Sequence, residues 1–305
     1  MKLSALKRSG IAAITLVVAL GLAACGSSSS GGSSASTSPS SSGASASKDA
    51  TLAAMLPSSI SSKGSLTIGT DASYAPSEFV DTDGKTIIGF DADLAKALGT
   101  VLGLKVDLQN APFDSLVESV KNGKFDLGVS SFTINADRLK QVDMVSYFNA
   151  GTSWAVEKGN PAGIKPDSAC GKKVAVQKGT VQVDDITARS KTCTNAGKPA
   201  ITIDQYQLQS DATAAVVSGK DDAMLADSPV VAYAVKQTGD KLEVTGQTYA
   251  AAPYGIAVPK GQGQYTQAIQ GAMQKLMDTG VYLDILKKWG VDSGAITQSQ
   301  INPVS

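Results

Sequence analysis

The chain has 305 residues, with 27 basic side chains, 27 acidic side chains and no histidine. This balance offers no basic face for nucleic acid, and the lack of histidine removes the commonest general base and the commonest zinc ligand. We therefore expect no nucleic-acid partner, no metal and no other cofactor.

A short apolar run lies close to the start of the chain. Basic residues precede it, and it extends from Ile11 to about Leu22. A membrane-spanning helix needs about 20 apolar residues, so the pattern predicts an export signal over residues 1–24. The sequence "LAAC" at its end resembles the lipobox of bacterial lipoproteins, in which the cysteine, here Cys25, is lipidated. The alternative is an ordinary signal peptide beside an unrelated cysteine.

Serine makes up about half of residues 26–50, which contain no aromatic or branched aliphatic side chain. Such a segment cannot bury enough apolar surface to offset its ordering entropy, so it is typical of a flexible tether. We assign residues 25–60 to a lipid-anchored tether. Lipid and tether together predict a body held at the outer face of the bacterial cytoplasmic membrane, on the extracellular or periplasmic side.

The first part of the body alternates short strands with amphipathic helices. Strands are predicted at 65–70 and 85–90, and a helix over 91–103, because its apolar residues recur at helical spacing. Asp91 and Asp93 are interpreted as residues of the first helical turn, where acidic side chains are favourable. Further along, the pattern predicts a strand at 105–110, a helix at 112–123 and a strand at 124–132.

A second unit opens near residue 155 and repeats this alternation up to about residue 239, which predicts parallel strand pairing. Strand character returns at 251–261, and two helices broken near Gly280 follow. This pattern predicts an α/β fold of two lobes with a hinge and a cleft between them. The expected boundaries are 61–150 with 250–295 for lobe 1, 151–249 for lobe 2 and 296–305 for a tail.

Two cysteines remain after Cys25. Cys170 and Cys193 form an even pair in a chain predicted to be exported. A disulfide between them would stabilise the folded state by ~3 kcal/mol in the chain-entropy model, because it closes a loop in the unfolded chain. The alternative is two free thiols, which an oxidising compartment disfavours.

Several motifs together resemble the family 3 periplasmic-type solute-binding proteins, the polar amino-acid receptors of ABC importers. "GFDADLAKALG" is similar to the family signature, although Ala92 is smaller than the usual branched residue. "TDASYAP", "SSFTINADR", "VQKGTVQ" and "AMLADSP" occur in the family's order and spacing. The resemblance covers nearly all of residues 60–292 and implies the type II periplasmic-binding-protein fold.

The resemblance implies a site for a free amino acid. Arg138 is expected to take the ligand carboxylate in a bidentate pair, and Asp227 the ligand ammonium. Tyr74 and Phe90 are expected to sandwich the ligand side chain, and Asp71 to contact it. Hydroxyl groups and a closing loop complete the implied set: Ser131, Thr133, Thr180 and Gln182.

Each assignment has a simpler alternative. An arginine early in a helix is usually a solvated charge, and Asp227 before Ser228 and Pro229 has the position of a helix cap. Phe90 has the spacing of a core residue. The family motifs favour the binding interpretation for each, with no catalytic residue.

The implied function is an extracytoplasmic substrate-binding lipoprotein that closes on a polar amino acid and delivers it to ABC permease subunits. A carboxylate pair, Asp71 with Glu78 expected nearby, favours a basic ligand, with polar neutral amino acids second. The chain is expected to act as a monomer. The alternatives are a dehydratase-like enzyme on the same fold and a ligand-sensing subunit for a membrane receptor.

Overall fold

The computed structural model describes residues 45–303. The expected export signal, Cys25 and the serine-rich segment up to residue 44 lie outside the described residues. Among the residues described, no helix is long and apolar enough to cross a membrane.

The strands form one eight-stranded mixed sheet and a separate three-stranded sheet. In chain order the strands are β1 (Ser65–Thr70), β2 (Ser73–Tyr74), β3 (Glu78–Val80), β4 (Ile87–Ile88), β5 (Lys105–Asn110), β6 (Leu127–Gly128), β7 (Val142–Glu157), β8 (Lys173–Gln177), β9 (Thr202–Tyr206), β10 (Ala223–Asp227) and β11 (Leu242–Pro259). The large sheet has the order β5-β1-β6-β11-β7-β10-β8-β9, and the small one β2-β3-β4.

Two long strands occupy the middle of the large sheet. β7 and β11 are antiparallel, with a register that runs from Val142 opposite Pro259 to Glu157 opposite Leu242. Gly151 lies at their middle, where a Cβ would come 2.6 Å from the carbonyl oxygen of Tyr249. The chain therefore leaves the first half of the sheet along β7 and returns along β11. We call residues 45–141 with 260–303 the first half, and residues 158–241 the second half.

The sequence-based prediction missed most of β7. It opened the second unit near residue 155 and placed no strand between 142 and 154. Nearly every residue of β7 is buried, because the strand has neighbours on both edges and helices over it. Without the alternation of buried and exposed residues, the usual sign of a strand is missing. The pairing of β8 with β9 and β10 is parallel, as predicted, whereas β10 pairs antiparallel with β7.

Helices cover both halves of the sheet. They are α1 (Ala50–Ala54), α2 (Ser58–Lys63), α3 (Phe90–Leu102), α4 (Phe113–Lys121), α5 (Ala136–Leu139), α6 (Val181–Asn195), α7 (Gln209–Val217), α8 (Ser228–Thr238), α9 (Gln264–Asp278) and α10 (Val281–Trp289), followed by a 3-10 turn at Asp292–Gly294. α3, α9 and α10 pack with β1 and β7 in one apolar core of the first half. Two smaller cores lie in the second half. The predicted α/β, two-lobed architecture is confirmed.

The expected tether boundary at residue 60 is wrong. α1 and α2 are helical and pack against the first half, with Leu56 and Ile60 in its core. Asp49 fixes this segment, because its Oδ1 accepts the backbone N–H of Thr51 and its Oδ2 accepts Lys275 Nζ over 2.8 Å. The folded body thus begins about ten residues earlier than the composition suggested, at about Lys48.

The disulfide and the C-terminal segment are both part of the fold. Cys170 and Cys193 are bonded, with a Cα–Cα distance of 5.6 Å, so the disulfide interpretation is confirmed over two free thiols. The segment assigned as a tail pairs with β7, since Ile301 bridges Val145 and the backbone N–H of Ser146 donates to Gln300.

Candidate functional site

Arg138 lies where the first half of the sheet faces the second. It belongs to the short helix α5, whose cap residue Asn135 accepts the backbone N–H of Arg138 over 2.9 Å. The guanidinium carbon lies 5.3 Å from the ring centre of Phe113 and 5.6 Å from that of Phe132. Because the two rings stack on each other, they form an apolar wall that holds the guanidinium in place.

The guanidinium is buried but has few partners. Its Nη1 donates to the carbonyl of Thr133 over 2.7 Å, and its Nη2 donates to the carbonyl of Gly179 over 3.3 Å. Within residues 45–303 no carboxylate lies within ion-pair distance of it. Burial lowers the pKa of Arg138 to about 10, so the side chain remains a cation at neutral pH. The alternative of a solvated surface arginine does not apply.

Asp227 ends β10 in the second half of the sheet. It precedes α8, yet its side chain makes no capping hydrogen bond. Its Oδ1 accepts Gln182 Nε2 over 2.8 Å, and its Oδ2 accepts the hydroxyls of Tyr74 and Tyr254 over 3.0 and 2.8 Å. The simpler interpretation of Asp227 as a helix cap is therefore not supported, because its carboxylate accepts side-chain donors and not the backbone of α8.

Arg138 and Asp227 influence each other without touching. Burial raises the pKa of Asp227, and the hydrogen bonds from the two tyrosines and Gln182 and the charge of Arg138 oppose that rise. Asp227 in turn favours the charged form of Arg138. No ion pair joins them among the described residues. A buried cation of the first half and a buried acid of the second half thus act on each other electrostatically without a direct contact.

Tyr74 and Asp71 bring the first half into contact with the second. Tyr74 belongs to β2 but packs in a core of the second half. Asp71 Oδ2 accepts the backbone N–H of Phe113 over 2.9 Å and Gln177 Nε2 over 3.2 Å. The other amide atom, Gln177 Oε1, is buried without a partner. Burial raises the pKa of Asp71, and its carboxylate lies where the first half contacts Gln177 of the second half.

The hydroxyl residues of the first half differ in their roles. Ser131 has a left-handed backbone, with φ of 49°, and both its N–H and its hydroxyl donate to Asp91 Oδ2, over 2.8 and 3.2 Å. Its hydroxyl oxygen can still accept a hydrogen bond, as an ammonium ligand would require. Thr133 contributes its backbone carbonyl to Arg138, and its side chain makes no hydrogen bond within the described residues.

The loop before α6 approaches the first half closely. Gly179 has φ of 80°, and a Cβ there would lie 2.7 Å from Asp114 Cβ, so glycine is required on both counts. Thr180 donates its hydroxyl to the carbonyl of Gln177 over 2.7 Å. Gln182, expected in the closing loop, instead holds Asp227 and also donates to Thr152 over 3.0 Å.

Two expectations on the ligand side chain differ from the structure. Phe90 is fully buried in the core of the first half and packs against Phe148 with the rings tilted, 5.1 Å between ring centres. Its apolar spacing was the correct guide, and it lies outside the cleft. Glu78 is 1% exposed and accepts the hydroxyl of Ser130, so it lies beneath the cleft.

The structure adds three residues that the sequence did not indicate. Phe113 packs in an apolar core, as the helical pattern of 112–123 predicts, but its ring also supports Arg138. Tyr254 and Gln177 belong to strands; Tyr254 lay in no motif, and Gln177 lay in the motif "VQKGTVQ" without an assigned role. Each is 1% exposed and bonded to a candidate site residue. Polar side chains within strongly apolar strands were the available signal.

A separate cavity of about 630 Å³ lies beside the crossing strands. Asn149, Thr248, Tyr233 and Trp289 contribute to its walls, whereas Arg138, Asp71 and Asp227 do not. Its size does not make it the candidate site, because the buried opposite charges lie elsewhere.

Comparisons with known proteins agree on one family. Residues 66–292 match the bacterial extracellular solute-binding proteins, family 3. The chain is 39% identical over 252 residues to the arginine-binding protein ArgT of Corynebacterium glutamicum, covering 82% of each chain. It is 29% identical over 283 residues to the ABC transporter glutamine-binding protein GlnH of Bacillus subtilis, covering 92% of this chain and 95% of GlnH.

A solved structure of an ancestral arginine-binding protein bound to arginine is also similar. It superposes with a TM-score of 0.69 at 35% identity, over 74% of this chain and 98% of the other. The fold and its two-lobed arrangement thus agree with a protein of known structure.

Proposed function

Because the chain belongs to the bacterial extracellular solute-binding proteins of family 3, we propose that it binds a free α-amino acid between its two halves. Family members of this kind serve ABC importers outside the cytoplasm. The observation that carries the proposal is the buried, unpaired opposition of Arg138 and Asp227 across the cleft.

The two charges match the two ends of a zwitterion. A buried charge needs a partner and further hydrogen bonds, or desolvation outweighs the attraction. Arg138 offers a fork of N–H donors to a carboxylate, and Asp227 with Ser131 offers acceptors to an ammonium. Thr180 is the N-cap of α6, and the backbone N–H groups at the start of this helix suit an anion.

Closure follows from the same contacts. Arg138 belongs to the first half and Asp227 to the second, so a ligand that reaches both makes more contacts when the halves are together. That difference in affinity can drive closure. We propose that residues 151–249 move as one lobe, and that residues 61–150 with 250–295 move as the other, together with α1, α2 and the C-terminal segment that pack on them.

A basic amino acid is the ligand we favour. Asp71 and the unpartnered Gln177 Oε1 are acceptors at one end of the cleft, next to Phe113. Acceptors beside an aromatic ring suit a guanidinium or ammonium side chain. The name of the 39% identical relative, an arginine-binding protein, supports this choice. Glutamine is the second candidate, since its amide also offers donors.

The cellular role we propose is that of a lipid-anchored importer subunit. Cys25 would carry the lipid, the serine-rich segment up to about Lys48 would act as tether, and the monomeric body would deliver its ligand to ABC permease subunits. The polar composition of the tether and the signal-like start of the chain support this arrangement.

Calorimetry with matched ligands tests the proposal. L-Arginine should bind, whereas agmatine, which lacks the carboxylate, and Nα-acetyl-L-arginine, which lacks the ammonium charge, should each bind at least about a hundredfold more weakly. Equal binding of agmatine and L-arginine would contradict the role of Arg138. Recovery of L-arginine unchanged after long incubation would separate binding from turnover.

A further inference from the structure

The buried carboxyl groups of Glu78 and Asp91 lie within hydrogen-bonding reach of each other. Glu78 comes from β3 and Asp91 from the first turn of α3, and each is 1% exposed. Neither is in an ion pair within residues 45–303. One oxygen of each, Glu78 Oε2 and Asp91 Oδ1, is buried without a hydrogen-bond partner. Buried polar atoms are rarely left in this state, so the pair calls for a physical explanation.

The other two oxygens hold parts of the candidate site. Glu78 Oε1 accepts the hydroxyl of Ser130 over 2.8 Å, and that hydroxyl oxygen accepts the backbone N–H of Asp71 over 3.0 Å. Asp91 Oδ2 accepts the N–H and hydroxyl of Ser131, and the hydroxyl of Tyr147 over 2.7 Å. The pair therefore links Asp71, at one end of the cleft, to Ser131.

We propose that Glu78 and Asp91 share one proton, held by Glu78 Oε2 and donated to Asp91 Oδ1, and that this proton positions Asp71 and Ser131 for ligand binding. One proton satisfies both unpartnered oxygens. It also removes one of two adjacent negative charges, which could not both be ionised at low cost in a buried site. The role in binding rests on the proposed function, whereas the shared proton does not.

The surroundings of the pair favour this state. Burial raises the pKa of Glu78 well above its usual value, and Asp91 beside it raises it further. Burial also raises the pKa of Asp91, but hydrogen bonds from Glu78, Tyr147 and Ser131 oppose that rise. Hence Glu78 carries the proton and Asp91 the charge.

The groups that face the pair are themselves acidic. They come from separate elements: Asp71 follows β1, Tyr74 belongs to β2, and Tyr147 to β7. Asp71 adds to the rise in the pKa of Glu78. The two tyrosines are neutral, because their own pKa values are raised by burial, so the charges that oppose ionisation of Glu78 are those of Asp91 and Asp71.

The shared proton has a definite pH dependence. Glu78 in the unfolded chain ionises near pH 4.3, whereas the folded protein keeps its proton to higher pH. Between these two pKa values the folded state binds more protons, so the free energy of unfolding decreases as pH rises. Above the folded pKa, ionised Glu78 repels Asp91, and the positions of Asp71 and Ser131 are lost. Binding should weaken over the same range.

The composition makes a direct test practical. The chain contains only four glutamates, Glu78, Glu118, Glu157 and Glu243, so glutamate-selective carboxyl-carbon labelling gives four NMR signals in the ligand-free protein. One signal should remain protonated at neutral pH and be absent from Glu78→Gln. Glu118→Gln, which alters an exposed residue of α4, is the matched control and should leave that signal unchanged.

The second part of the test follows the backbone N–H signals of Asp71 and Ser131 in ligand-free protein. As the pH is raised, these two signals should shift with the same midpoint as the Glu78 carboxyl signal. In Glu78→Gln they should stay constant, because the glutamine amide can donate to Asp91 at every pH. L-Arginine affinity should fall about tenfold over that range in the wild type, the loss of one charge-assisted hydrogen bond, and about twofold or less in Glu78→Gln.

The outcomes separate the two proposals. A protonated Glu78 signal with coupled Asp71 and Ser131 shifts supports the inference even if no amino acid binds, in which case the proposed function alone fails. Four glutamates that all titrate as exposed carboxyls overturn the inference. The inference is also overturned if the backbone N–H signals of Asp71 and Ser131 do not shift when Glu78 titrates. This measurement needs only the wild-type protein.

Discussion

The hydroxyl of Tyr74 donates to Oδ2 of Asp227 over 3.0 Å, although 153 positions separate the two residues. Tyr74 belongs to the small sheet of the first half, and Asp227 ends a strand of the second half. The backbone N–H of Asp227 also donates a hydrogen bond to the hydroxyl oxygen of Tyr74 over 3.2 Å. The acid that we assign to the ligand ammonium is therefore held from both halves, so its position depends on how the halves meet.

Replacing Arg138 should abolish most of the binding. Arg138→Ala leaves a ligand carboxylate buried without its cation, a loss of about 3–5 kcal/mol, or at least a hundredfold in affinity for L-arginine by calorimetry. Arg138→Lys should also bind weakly, because an ammonium lacks the fork. Arg189→Ala is the control, because it also removes an arginine, but one whose ion pair with Asp185 lies within α6 and outside the candidate site. Less than a tenfold loss in Arg138→Ala would eliminate this site.

Removing one tyrosine hydroxyl should shift the acid limit of binding. The hydroxyl of Tyr254 donates to Asp227 and lowers the pKa of that carboxyl. Tyr254→Phe should therefore raise the pKa of Asp227. A ligand ammonium requires the ionised form of Asp227. As the solution is acidified, the variant should therefore lose affinity for L-arginine at a higher pH than the wild type does. Calorimetry across the acidic range measures the midpoint, and an unchanged midpoint would count against Asp227 as the ammonium partner.

An ion pair between the halves should contribute modestly to affinity. Lys178 Nζ lies 2.8 Å from Asp114 Oδ2 and joins the second half to the first. Lys178→Ala should weaken L-arginine binding by about two- to fivefold, and the effect should diminish at high salt. Lys288→Ala removes a similarly exposed pair with Asp93 within the first half and should not change affinity. Equal effects of both variants would mean that the Lys178 pair does not depend on closure.

Loss of the disulfide should affect stability without affecting the site. Cys170 and Cys193 are 23 positions apart and lie in a core of the second half. The double variant Cys170→Ala/Cys193→Ala should lower the free energy of unfolding by about 3 kcal/mol, measured by denaturant titration. Its L-arginine affinity should stay within about twofold of the wild type. A large loss of affinity at full folding would indicate that the second half depends on the disulfide for its shape.

Much of the fold follows from periodicity, but β7 does not. The helix α3 shows apolar residues at helical spacing, and its prediction was off by one residue at each end. β7 is buried along almost its whole length, so neither alternation nor length distinguishes it from other apolar sequence. The sequence pattern also missed α1 and α2, because these helices are too short to show a helical period and adjoin a serine-rich segment.

The candidate site was predicted in part, through motifs rather than periodicity. Tyr74 donates to Asp227, the charge of Asp227 acts on Arg138, and Asp71 accepts Gln177 of the second half. Phe90 does not join them, because the helical period that places it in the core describes its surroundings correctly. Phe113 obeys the same period, yet it begins its helix, where one side of the ring packs inward and the other supports Arg138. Which side of a helix end faces a cleft is decided by tertiary packing, which the sequence pattern does not contain.

A crystal structure of the protein with bound L-arginine tests the central claim most directly. We predict that the ligand carboxylate accepts both ends of the Arg138 guanidinium, while the ammonium donates to Asp227 in place of a tyrosine hydroxyl. A ligand bound away from the cleft, or one whose carboxylate points away from Arg138, would contradict the account.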